Sequence, residues 1–134
     1  MSLDSALGKA QTDVPECVAV GYVDMTTGML LGVKTVDSHP QEVLDLVAAA
    51  TADLFQGQSV SSIEMLFRKS RGQDEDGRHY FNEILVFSEN LLHSFIRSKK
   101  YPTQAAVFVC RAKVNIGMAL TKSRMAVQAI EAAV

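Results

Sequence analysis

The side chains that most often carry out chemistry are few and scattered in this sequence. Its three histidines fall in a predicted helix cap, a loop and a strand, without the spacing of joint metal ligands: His39, His79 and His93. The acidic run Asp74-Glu75-Asp76 lacks the alternating oxygen ligands and the closing glutamate of a calcium loop. We therefore predict no metal site and no cofactor.

Nucleophile and phosphate motifs are not found either. The sequence has no Gly-x-Ser-x-Gly elbow and no Cys/His signature. Gly28 and Gly32 span a predicted turn and strand rather than a strand-to-helix junction, so they offer no helix N-terminus to a phosphate. We expect no catalytic residues, which favours a binding module over an enzyme.

The two cysteines, Cys17 and Cys110, each lie inside an apolar run, where a free cysteine usually behaves as a small buried hydrophobe. A disulfide between them stays open as an alternative if their strands are neighbours. The N-terminus lacks a continuous apolar signal region, and no stretch approaches the ~20 apolar residues that span a bilayer. We therefore predict a cytoplasmic protein that does not bind membranes.

Size and charge narrow the function classes further. The 134 residues predict a single domain over 1–134, and the net charge of −2 does not favour nucleic acid. The nearest basic cluster, Arg97-Ser98-Lys99-Lys100, follows a predicted strand and is typical of a solvated turn. We expect no nucleic-acid partner.

The first half of the chain predicts helix, hairpin, helix. Apolar spacing predicts a helix over 3–11, and β-branched residues predict a hairpin over 16–36 that turns at Asp24–Gly28. A second helix over 38–56 has Ser38 as its N-cap and Gly57 as its C′ residue. Its apolar stripe consists of Val43, Val47, Ala50 and Leu54, widened by Leu44 and Phe55.

The second half predicts another hairpin, a strand and a helix. Residues 59–70 can be drawn as a helix or as a strand, and we favour the helix; 70–79 form a polar loop. The remaining predicted elements are strands over 80–87, 91–97 and 105–111 and a helix over 113–134. The strand at 105–111 begins with an unbroken apolar run, which indicates burial on both faces and a central position.

These elements predict an α+β fold. We expect a five-stranded antiparallel sheet in the order 2-1-5-4-3, flanked by three or four helices. The helices at 40–56 and 113–134 would pack against the sheet.

The pattern resembles the roadblock family of dynein-associated light chains, which have a profilin-like layered fold. The residues that carry the resemblance are the first hairpin, Val18–Asp24 and Gly28–Gly32, and the helix after it. The resemblance implies homo- or heterodimers in which the second helix and third strand pair to make one continuous sheet. Related bacterial proteins bind small Ras-like GTPases and regulate their nucleotide cycle.

By this resemblance, helix 40–56 and strand 80–87 would form a dimer interface. The predicted interface residues are Val43, Val47, Leu54, Phe81, Ile84, Leu85, Val86 and Phe87. The run from Ile84 to Phe87 supports this independently, because a flat apolar edge without proline or lysine is usually protected. The alternative is that 59–70 fold over this edge.

Our leading interpretation is a non-catalytic dimeric scaffold or adaptor that regulates a small Ras-like GTPase. The alternative is a sensor domain that holds a small molecule between sheet and helix, where Gly21, Gly32 and the alanines at 48–50 leave room. The same small residues also fit close packing of helix on sheet.

Overall fold

The computed structural model describes residues 2–37, 41–72 and 81–134, with only the backbone described at 41–43. The helices in this part of the chain are α1 (Leu3–Asp13), α2 (Gln41–Gln56), α3 (Gln58–Ser70) and α4 (Ile116–Ala133). The strands are β1 (Cys17–Asp24), β2 (Met29–Thr35), β3 (Glu83–Phe87), β4 (Leu91–Arg97) and β5 (Gln104–Arg111).

The five strands form one antiparallel sheet in the order β2-β1-β5-β4-β3, which confirms the predicted fold class. β5 lies at the centre, and its residues from Ala105 to Phe108 are buried, as the unbroken apolar run predicted. The β1–β2 turn is also as predicted. The Asp24 carboxylate accepts a hydrogen bond from the Thr26 N–H at 3.0 Å, and Gly28 has a φ of 70°, which favours glycine.

One face of the sheet, called here the α4 face, is covered by α1 and α4. Alternate residues of the central strands point into this layer, including Tyr22 and Phe108. They pack against Leu7 of α1 and Ile130 of α4, and all four are fully buried. This is the larger of the two cores.

The opposite face, called here the α2 face, is covered in part by α2. The intervening strand residues, such as Val23 and Phe95, meet Ala48 and Phe55 of the helix to form a second core. Ile84 of β3 packs at the margin of this second core. Both predicted helices therefore pack against the sheet, one on each face.

The stripe predicted on α2 was misplaced in part, because Phe55 is buried and Leu54 packs against the second core, whereas Val47 and Ala50 are exposed. The structure buries Ala48, Thr51 and Phe55 completely and leaves Ala50 exposed and Val47 39 % exposed. Thr51 tolerates burial because its hydroxyl donates to the carbonyl of Val47 at 2.8 Å, within the helix. The buried side of α2 is thus rotated from the predicted stripe by about one residue.

Gly57 directly follows the last residue of α2, as predicted, but it does not adopt the left-handed conformation that is common at the end of a helix. Its φ is −61°, and it serves as the N-cap residue of α3. Its N–H still donates to the carbonyl of Asp53 at 2.9 Å, and an added Cβ would lie 2.7 Å from that oxygen. Glycine is needed at this position because the end of α2 passes so close.

Several boundaries differ from the predictions. α1 continues to Asp13, and residues 59–70 are helical, as favoured. β3 starts at Glu83, three residues later than the predicted strand. α4 starts at Ile116 because the Asn115 side chain accepts from the Met118 N–H at 2.9 Å and caps it. The predicted cap at Ser38, the polar loop from 73 on and the start of the predicted strand at 80 lie outside the described residues.

Candidate functional site at the β3 edge and the α2 face

In the described part of the chain, β3 lies at one edge of the sheet, and its backbone hydrogen bonds alternate in direction. The N–H of Arg97 donates to the Asn82 carbonyl at 2.7 Å, and the N–H of Ser88 donates to the Leu91 carbonyl at 2.9 Å. In an antiparallel ladder, pairs of residues that exchange backbone hydrogen bonds alternate with pairs that do not. The two bonds above mark Asn82 with Arg97, and Ser88 with Leu91, as hydrogen-bonded pairs. The residues whose backbone N–H and C=O groups point away from β4 are therefore Glu83, Leu85 and Phe87.

The apolar side chains of β3 remain accessible. Leu85 is 38 % exposed, Val86 40 % and Phe87 58 %. The register pairs Val86 with His93, which places Val86 on the α2 face, whereas Leu85 and Phe87 lie on the α4 face. The edge thus presents apolar side chains on both faces together with unpaired backbone groups.

A salt bridge holds β3 against α4. The Arg124 guanidinium donates to both carboxylate oxygens of Glu83, at 2.7 and 2.6 Å. This pairing holds the pKa of the Glu83 carboxyl below its usual range. The two residues are 41 positions apart, and sequence reasoning did not identify this contact.

A buried arginine joins the start of β3 to α2. The Arg97 guanidinium donates to the carbonyls of Phe81 at 3.1 Å, Pro102 at 2.9 Å and Phe55 at 3.1 Å, and it lies 4.8 Å from the centre of the Phe55 ring. Desolvation lowers the pKa of Arg97, but arginine stays charged in proteins. The cation therefore ties together three chain segments that would otherwise leave carbonyl groups unpaired.

The exposed side of α2 extends the apolar surface. Leu46 is 70 % exposed and Val47 is 39 % exposed. Leu46 was not predicted, since it lies off the stripe that sequence reasoning chose. The extensive contacts of α3 are with α2, and no comparable contact joins α3 to β3 among the described residues. The exposure of Leu85, Val86 and Phe87 shows that the described part of the chain leaves this edge accessible.

A groove of about 830 Å³ opens between the N-terminal half of α2 and the sheet. Its wall on the helix side includes Leu44 and Val47, and its floor includes Gly21, Val107 and Val109. The described residues of α2 that are buried lie in the middle and C-terminal part of the helix, at Ala48, Thr51 and Phe55. The lining is mostly apolar, as expected of a surface that receives a ligand or a partner.

His93 lies in the lining of this groove. Its Nε2 is 3.1 Å from the Ser88 hydroxyl, and burial lowers the pKa of the imidazole. The neutral ring is therefore the favoured form. No group of three or more histidine, cysteine, aspartate or glutamate residues is placed to hold a metal ion within the described ranges.

The structure places the eight predicted interface residues in three groups. Leu85, Val86 and Phe87 are exposed on β3, and Val47 is exposed on α2. A further three are partly buried against the second core: Leu54, Phe81 and Ile84. The side chain of Val43 lies outside the described residues. None of the four helices, over the residues described, is both long and apolar enough to cross a bilayer.

No protein-family model and no curated protein matches the sequence. Solved structures do match. MglB from Myxococcus xanthus has a TM-score of 0.68 at 14 % identity, over 96 % of this chain and 90 % of that one. A Roadblock/LC7 domain from Streptomyces avermitilis has a TM-score of 0.66 at 14 % identity, over 98 % and 97 %. A structure described as MglB with a tetrameric arrangement has a TM-score of 0.70 at 15 % identity, over 97 % and 88 %. The chain has the roadblock fold.

Proposed function

We propose that this chain is a non-catalytic scaffold that pairs with a second copy of itself through β3 and α2. The observation that carries the proposal is the β3 edge. Leu85 and Phe87 direct backbone groups away from the sheet, and their side chains are exposed together with that of Val86. An edge of this kind is a template for a further strand.

Antiparallel pairing of β3 with β3 of a second copy is compatible with twofold symmetry. The outward N–H groups of each strand would donate to outward carbonyls of the other, and the two sheets would become one. The exposed side chains on each face of β3 would then pack against their symmetry equivalents. The pairing would satisfy the polar backbone groups and bury apolar surface in one step.

The α2 side of the proposed interface uses the open surface beside the groove. Leu46, Val47 and Val86 are exposed there, and Val43 belongs to the proposed contact by its position on the helix. Leu54, Phe81 and Ile84 would support the contact from beneath, because they are anchored in the second core. A second copy's α2 that lies along this surface would cover part of the groove.

The proposed role of the assembled scaffold is to bind a small Ras-like GTPase in the cytoplasm. The support is the resemblance of the first hairpin to the roadblock family and the fold that the chain shares with MglB. The structure described as MglB with a tetrameric arrangement also supports self-association of this fold. GTP hydrolysis by a Ras-like GTPase of the same organism, with and without the chain, tests this role; an unchanged rate and no measurable binding would remove it.

The test of pairing is the mass in solution, measured by light scattering after size exclusion across a tenfold range of concentration. A mass of twice the 14.6 kDa chain, or one that rises towards this value with concentration, supports the pairing. A mass that stays at one chain throughout the range contradicts it.

The groove favours a second candidate function, the binding of an apolar small molecule. A thermal-shift screen tests it, since a ligand at ~100 times its dissociation constant adds ~2.7 kcal/mol of stability. Val109 lines the groove and is only partly buried, so Val109→Phe fills the space. A ligand that raises the melting temperature of the wild-type chain but not of this variant supports the sensor function; an equal shift in both places the ligand elsewhere.

A further inference from the structure

The two cysteines, far apart in sequence, are direct neighbours in the fold. Cys17 of β1 pairs with Cys110 of β5 in the antiparallel register. Both are free thiols, both are buried, and both belong to the core on the α4 face. Their side chains therefore point into the same layer from adjacent strands.

The type of pair brings these side chains close together. The N–H of Arg111 donates to the carbonyl of Glu16 at 3.0 Å, which makes these two residues a hydrogen-bonded pair. The next pair in the ladder, Cys17 with Cys110, is therefore one that exchanges no backbone hydrogen bonds. In such a non-hydrogen-bonded pair the Cα atoms are about 4.5 Å apart. A disulfide bridges Cα separations of about 4.4–6.8 Å, so the backbone needs little movement to accommodate one.

We propose that Cys17 and Cys110 form an oxidation site, at which hydrogen peroxide converts the two thiols into a cross-strand disulfide that staples the start of β1 to the end of β5.

The reaction is balanced by peroxide alone. The thiolate of one cysteine attacks one peroxide oxygen and becomes a sulfenic acid, and the released hydroxide takes up the proton that the thiol lost. The sulfur of the other cysteine then attacks the sulfenic sulfur, which forms the S–S bond and releases water. Two thiols lose two electrons and two protons, and one peroxide becomes two waters.

The contact between the two thiols shifts their pKa values in opposite directions. A hydrogen bond with Cys17 lowers the pKa of the Cys110 thiol, whereas the same contact and burial raise the pKa of Cys17. The contact therefore favours a thiolate within the pair, and the thiolate is the reactive form. The second thiol lies directly beside it.

Access to the pair lies at the end of a strand. Cys17 is the first residue of β1 and is 8 % exposed, compared with 1 % for Cys110. It follows Glu16, whose backbone φ of 56° is uncommon for a residue other than glycine. It also precedes an irregularity in the β1–β5 register. Opening this short segment exposes both sulfurs without separating the whole strand.

The disulfide has a measurable physical consequence. It closes a loop of roughly 90 residues, which restricts the unfolded chain. We expect the melting temperature to rise by about 5–15 °C on oxidation. Val18, Ala19 and Arg111, which flank the two cysteines, also line the groove, so the bridge would fix one rim of that groove.

The experiment uses the full chain, reduced, freed of reductant and titrated with hydrogen peroxide. After quenching and unfolding, free thiols are alkylated and the intact mass is measured. The expected product has lost two hydrogens and takes up no alkyl group, migrates as a single chain without reductant, melts at a higher temperature, and returns to two alkylated thiols with dithiothreitol. Cys17→Ala and Cys110→Ala each remove one thiol and serve as matched controls that cannot gain the bridge.

The opposing results are equally distinct. Two alkylated thiols in a chain that stays folded at peroxide concentrations that oxidise free cysteine would overturn the proposal. So would sulfinic acid as the main product, or a disulfide between two chains in place of the internal one. These mass measurements on the wild-type chain decide the matter even where an alanine variant fails to fold.

Discussion

Leu85→Lys is the substitution that most directly tests the proposed interface. Leu85 is 38 % exposed at the edge, so a lysine can extend into solvent in an isolated chain. We expect the free energy of unfolding of the single chain to fall by no more than about 1–2 kcal/mol, because the rest of the leucine side chain is already buried and the lysine stem keeps part of that contact. The paired state, in contrast, would bring two lysines towards each other across the twofold axis.

The expected effect on pairing can be worked from the exposed fraction. Complete burial of a leucine side chain contributes about 1.5–3 kcal/mol, so burial of the remaining 38 % of Leu85 contributes about 0.6–1.1 kcal/mol per copy. Two copies give about 1–2 kcal/mol, which is about tenfold in the dissociation constant. Desolvation of two ammonium groups adds at least about 2 kcal/mol, so we expect a loss of at least about a hundredfold in all.

The assay is sedimentation or light scattering over a dilution series, with urea unfolding measured in parallel. Leu85→Ala is the matched control, since it removes the apolar area without adding a charge and should weaken pairing by about tenfold. Leu85→Pro removes an outward N–H without breaking a β3–β4 hydrogen bond, so it tests the strand contact separately. A Leu85→Lys protein that stays folded and keeps the wild-type dissociation constant would refute the interface.

Three further outcomes follow from the same contacts. Phe55→Ala should cost about 3–5 kcal/mol in urea unfolding, because Phe55 is fully buried; a loss below about 1 kcal/mol would contradict the packing described for α2. His93 titrates lower in the folded chain than the ordinary value of about 6.5, so stability should fall as the pH drops from there through the folded-state pKa, and His93→Gln should flatten that slope. Arg124→Ala should weaken self-association by leaving the Glu83 carboxylate unpaired at the edge, whereas Glu83→Gln with Arg124→Ala should restore it; equal association in all three proteins would contradict this role.

The sheet could be predicted from sequence because its signals are local. The unbroken apolar run at 105–110 indicates a strand that is buried between two neighbouring strands, which are β1 and β4 in the structure. The Asp24–Gly28 turn fixes the first hairpin. Once the central strand and both hairpins are placed, few strand orders remain. The edge position of β3 follows from the same reasoning.

The rotation of α2 could not be predicted in the same way. Apolar residues occur on more than one side of this helix, so the pattern does not distinguish the stripe through Val47 from the stripe through Ala48 and Phe55. Which side of α2 is buried depends on Thr51, which is a polar residue in the sequence pattern. In the structure its hydroxyl donates a hydrogen bond to the Val47 carbonyl, so the side chain can be buried. The groove was anticipated in part, because Gly21, one of the small residues named for the sensor alternative, lies in its lining.

The salt bridge to α4 bears on why β3 is open to pairing. Natural sheets protect an edge with charged side chains, and the only charged residue of β3 is Glu83. Arg124 weakens this protection, since its two hydrogen bonds turn the carboxylate towards α4 and pair its charge. The same contact therefore holds β3 against α4 and pairs the charge that would repel a second β3. A strand held firmly on one side and left uncharged on the other is suited to receive its own copy.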